Sequence, residues 1–108
     1  MYKLLSLFLI LLFSSKVLAY DGWSIGSINQ IRIQEARMLI IQESADNPAQ
    51  CSNTDYLYLT QGEQIHHKNM FSALLTAYAT KAEVRLALKG CSGGGKNGYP
   101  VITQVWIK

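Results

Sequence analysis

Residues 66–91, HHKNMFSALLTAYATKAEVRLALKGC, constrain the fold more than any other part of the chain. Met70, Phe71, Leu74, Leu75 and Tyr78 recur at helical spacing and form one apolar stripe. The period then changes. Val84, Leu86 and Leu88 alternate with Glu83, Arg85 and Lys89, the pattern of a half-buried strand. A helix that leads directly into a strand cannot bury its stripe alone, so it must rest on a sheet that the remaining chain supplies.

That chain reads as four more strands. SINQIRIQ (residues 27–34) alternates at Ile31 and Ile33, and MLIIQ (residues 38–42) is a second short apolar run. The two form a hairpin or one long bent strand. Helix is the rival reading for residues 35–43, but the short run and the turn-rich segment after it favour strand. Residues 44–55 are that segment, rich in Asp, Asn, Ser and Pro. YLYLT (residues 56–60) is the third strand. The helix is expected over residues 66–80 and the fourth strand over 82–89. Five glycines then mark a mobile hairpin loop over residues 90–98, and VITQVWI (residues 101–107) is the last strand. The order predicts an α+β, mainly β fold. It is a five-stranded OB-like barrel, or a strongly curved antiparallel sheet, with one helix between strands three and four.

The first 19 residues have the layout of a secretory signal peptide: a basic start at Lys3, an apolar run over residues 4–13 and the small-residue end Val17-Leu18-Ala19. The run is too short for a membrane span, which takes roughly 20 residues. Residues 20–108 are then one small exported domain, periplasmic or extracellular. Losing Lys3 and Lys16 reduces the ten basic residues to eight, against seven acidic ones. The basic balance of the whole chain therefore does not point to a nucleic-acid partner. Cys51 and Cys91 both lie in the exported part, where an even cysteine count favours a disulfide over a metal or catalytic thiol pair.

Nothing in the spacing specifies catalysis. His66 and His67 are adjacent, so on a regular helix they point in different directions and do not readily share a metal. Gly93-Gly94-Gly95-Lys96 lacks the Ser or Thr and the following helix of a phosphate loop. The expectation is a non-enzymatic protein with no cofactor and no metal. Trp23, Tyr56, Tyr58, Tyr99 and Trp106 fall near strand ends and loops. Their rings with polar handles suit a sugar or a protein surface, although core packing is the competing use. Opposite the apolar stripe, Asn69, Ser72, Ala73, Thr76 and Thr80 form an uncharged helix face that would admit a close neighbour.

Element order, secretion signal and the stretch FSALLTAYATKAEVRLAL with its nearby cysteines together resemble the cell-binding B subunits of bacterial AB-type toxins, the subtilase-cytotoxin and pertussis-like group. The resemblance implies an exported OB-fold domain that binds host glycans and assembles as a five-membered ring with helices lining the centre. It assigns no individual ligand-contacting residue. The functional expectation is a secreted glycan- or cell-surface-binding module. The alternative is a secreted protein–protein interaction or inhibitor domain.

Overall fold

The computed structural model describes residues 20–107. The expected signal peptide, residues 1–19, lies outside the described residues. In order, the elements are β1 (Gly22–Ile33), β2 (Arg37–Gln42), β3 (Leu57–Thr60), α1 (Ile65–Thr80), β4 (Glu83–Cys91) and β5 (Pro100–Ile107).

The strands close into a barrel in the order β1-β2-β3-β5-β4. Closure depends on β1, which at 12 residues begins well before the first strand expected over residues 27–34. Its first half, residues 22–27, pairs with β4, and its second half, residues 28–33, pairs with β2. A register shift between Ile28 and Gln30 separates the halves and bends the strand from one neighbour to the other. All pairings are antiparallel except β3 with β5, which meet in parallel with Tyr58 opposite Val101. The OB-like barrel is therefore the architecture, and the open curved sheet is not.

Strand alternation fills the interior. Met38, Ile40, Leu57, Leu59, Val84, Leu86, Leu88 and Ile102 form the buried cluster. Two polar side chains join the buried set. Gln42 donates to the carbonyls of Ser24, Gly26 and Val84 and accepts from the Ser24 hydroxyl, which itself accepts from the amide of Asp46. Each polar atom is thus matched, as burial requires. A Cβ at Gly26 would collide with the Glu43 carbonyl, so β1 can cross the end of β2 this closely only with glycine there.

The helix lies against the barrel with Leu74 and Ala77 fully buried and Met70 and Phe71 packed beside them. This corrects the expected stripe. Leu75 is 37% and Tyr78 46% exposed, while Ala77 takes a central place. A small residue lets the helix backbone approach the barrel closely, and the contact face rotates towards the alanine side, leaving the bulky flank in solvent. Lys81 ends the helix in the left-handed region at φ 56°, with its own amide and that of Ala82 directed to the Tyr78 and Ala77 carbonyls. That reversal allows β4 to begin only two residues later.

Cys51 and Cys91 form a disulfide with Cα atoms 5.6 Å apart. It joins the β2–β3 loop to the end of β4. The glycine-rich loop after Cys91 is not the free hairpin expected from its composition. Ser52 donates to the Lys96 carbonyl at 2.7 Å and Asn53 to the Gly98 carbonyl at 3.1 Å. The Lys96 ammonium reaches Gln50 at 3.2 Å. The disulfide brings the two loops side by side, and their backbones then satisfy one another.

Candidate functional site

The five aromatic residues expected to bind a ligand lie outside the barrel interior and divide into two groups. Trp106 and Tyr99 stand seven residues apart on an extended chain, a separation of roughly 23 Å. One small ligand cannot touch both.

The first group is built by strand register. Ile25, Arg85 and Trp106 lie directly opposite one another across β1, β4 and β5, and Trp23, Ala87 and Gln104 form the next row. Their side chains face outward, because the intervening Val84 and Leu86 face the core. The Trp23 and Trp106 rings meet edge to face with centroids 5.7 Å apart, and Tyr20 packs on Trp23 at 4.7 Å. The Arg85 guanidinium lies 4.3 Å from the Trp23 centroid and 5.4 Å from that of Trp106. Its Nε is buried and has no hydrogen-bond partner among the described residues. Ala87 shares this outward row with Trp23 yet is fully buried. Trp106 remains 54% exposed.

Loops build the second group. Tyr56 precedes β3, Tyr99 precedes β5, and their rings meet edge to face at 5.9 Å. Arg37, at the start of β2, places its guanidinium 6.0 Å from the Tyr99 centroid. Tyr58 stands on the outer side of β3 between Leu39 and Val101, half-buried, without a ring partner among the described residues. A cleft of about 230 Å³ opens beside Tyr56, with Thr54, Asp55, Ala45 and Ile41 among its walls. The disulfide and the loop–loop hydrogen bonds stand directly behind this group.

Of the expected helix-face residues, Asn69, Ser72, Thr76 and Thr80 are exposed and Ala73 is half-buried. The Thr76 and Thr80 hydroxyls donate back to the carbonyls of Ser72 and Thr76 at 2.9 and 2.8 Å. Their methyl groups are therefore what a neighbour would meet. His66 and His67 pack on each other, with ring centroids 4.1 Å apart. No group of three or more His, Cys, Asp or Glu side chains that could hold a metal ion occurs among the described residues. No helix among them is long and apolar enough to cross a membrane.

Arg37 and Arg85 are the residues that the sequence reading missed. Arg85 alternates with apolar neighbours and Arg37 closes the polar stretch before the expected second strand, so each reads as an ordinary solvent-facing cation. Only the register shows which rings lie opposite. The chain matches no protein-family model, and no curated protein or solved structure shows significant similarity to it.

Proposed function

We propose that this protein is an exported, non-enzymatic binding module that takes a glycan of a cell surface on its tyrosine face. The observation that carries this reading is the Tyr56–Tyr99 pair with Arg37 beside it and a polar-walled cleft at its edge. A saccharide needs an apolar ring to stack on and directional hydrogen-bond groups around it. Tyrosine hydroxyls, the Arg37 guanidinium, Asp55 and Thr54 provide both within one neighbourhood. The disulfide holds the loops in place before ligand arrives, which lowers the ordering cost of binding. An intact disulfide is also compatible with export to an oxidising compartment.

The helix supports the second half of the proposal, a homo-oligomeric ring with a pentamer as the first guess, as in the toxin B subunits that the sequence resembles. Lys68 is the only Lys, Arg, Asp or Glu on the helix, and the exposed face carries Leu75, Tyr78 and threonine methyls. Such a face is poorly suited to stand alone in water and well suited to a close neighbour.

A glycan array with the mature chain tests the ligand. Binding that Tyr99→Ala abolishes and Trp106→Ala leaves intact is expected, and an array with no hit removes the glycan reading. Native mass spectrometry tests the ring. Thr76→Lys should break the assembly, by gathering like charges around a shared axis, while each barrel stays folded. A wild-type monomer at high micromolar concentration ends the ring proposal.

A further inference from the structure

The tryptophan face is unlike the tyrosine face in what it offers a ligand. Its hydrogen-bonding groups are largely used internally. The Trp106 indole N–H donates to Gln104 Oε1 at 3.1 Å, which occupies the donor of one and an acceptor of the other. Beside them stands Ile25, 49% exposed, in the same row as Arg85 and Trp106. What remains is a largely apolar strip centred on Arg85, with the exposed Glu83 two residues before it on the same face of β4.

Arg85 is held in place before anything binds. Trp23 and Trp106, in edge-to-face contact with each other, both lie against the guanidinium on the same side of it. The residues opposite it on the neighbouring strands, Ile25 and Trp106, carry no charge. The buried Nε finds no acceptor among the described residues. An arginine so placed has already lost the rotamer freedom that binding would otherwise remove, and with its Nε buried it would meet a carboxylate through its terminal nitrogens.

We propose that the Trp23–Arg85–Trp106 face is a docking surface for a protein segment that presents a carboxylate between apolar side chains. Charge complementarity to Arg85 selects the acid, and the flanking Trp106 and Ile25 select its apolar neighbours. Tryptophan and arginine are the residues that dominate protein interfaces when they sit centrally in an apolar surround. A saccharide would find too few hydrogen-bond partners here. The face is one strand-row wide on either side of Arg85, so the occupant is a short segment and not a broad domain surface. The inference does not depend on the glycan reading, which concerns the other end of β5.

The chain contains two tryptophans, and both lie in this face, so intrinsic tryptophan emission reports on it specifically. The full chain would be panned against a random dodecapeptide display library, and Trp-free synthetic copies of the selected peptides titrated by emission. The expected winners carry Asp or Glu flanked by apolar residues and change the emission on binding. Replacing that acid by its amide should weaken binding at least tenfold, as should Arg85→Gln and Trp106→Ala. Tyr99→Ala should leave it unchanged. If Arg85→Gln fails to fold, the acid-to-amide peptide against the wild-type chain decides the matter. Selected peptides without an acid, or binding undiminished by the amide replacement, would overturn the proposal. So would a face that responds to phosphatidylglycerol vesicles and to no peptide. An emission shift on self-association that Trp106→Ala abolishes would assign the face to a second copy, and would overturn it equally.

Discussion

Two faces of this barrel set an arginine against aromatic rings, and they are built by different means. At the tryptophan face the parts come from three adjacent strands, and backbone pairing alone places Ile25, Arg85 and Trp106 in one row. At the tyrosine face the parts come from chain just outside the strands, and a covalent bond between Cys51 and Cys91 brings their loops together. A register-built surface persists as long as the barrel does. A loop-built surface can be lost while the barrel remains. The comparison also assigns chemistry: strand faces offer rings and one cation, whereas loops add the carbonyls, hydroxyls and carboxylates that a polar ligand requires.

The sharpest way to separate the faces is to remove the staple. Cys51→Ala with Cys91→Ala opens a loop spanning 40 residues and should cost about 4 kcal/mol in the chain-entropy picture. Near-ultraviolet tyrosine signals should loosen at low urea while tryptophan emission stays native. Equal loss of both signals would show that the faces are not independent. Leu74→Ala is the complementary change, because it damages the barrel beneath both. A fully buried leucine truncated in this way should cost about 3 kcal/mol, with both signals lost in one transition. A loss below about 1 kcal/mol in urea melts would contradict the helix seating described above.

Smaller changes address each face alone. Tyr99→Ala removes one ring of the tyrosine pair and should lower stability by about 1.5 kcal/mol, read as a shifted urea midpoint with unaltered tryptophan emission. Arg85→Gln removes the cation from beside the indole pair and should cost about 1 kcal/mol. Its signature is a changed tryptophan emission with no change in tyrosine circular dichroism. Should Tyr99→Ala instead alter the emission, the two ends of β5 are coupled, and the separate ligands proposed for them become untenable.

Local pattern determined much of this protein. It placed β2, β3, β4 and β5 within two residues of their observed ends: alternation for β4, which has one face in the core and one outside, and short runs bounded by turn-forming residues for the others. The helix was equally legible, and an even cysteine count pointed to the disulfide. The start of β1 was not legible. Gly22, Ser24 and Gly26 carry no apolar signal, and they pair because β4 lies beside them and Gln42 closes the interior there. Alternation says which residues share a face of a strand, but not which strand comes next to it. So Trp23 and Trp106 could be named from sequence, whereas their contact, and the arginine packed against both, could not. The rotation of the helix towards Ala77 has the same origin. Hydrophobicity ranks leucine and tyrosine above alanine, but the space between helix and barrel admits a methyl group at that point and leaves Leu75 and Tyr78 on the flank.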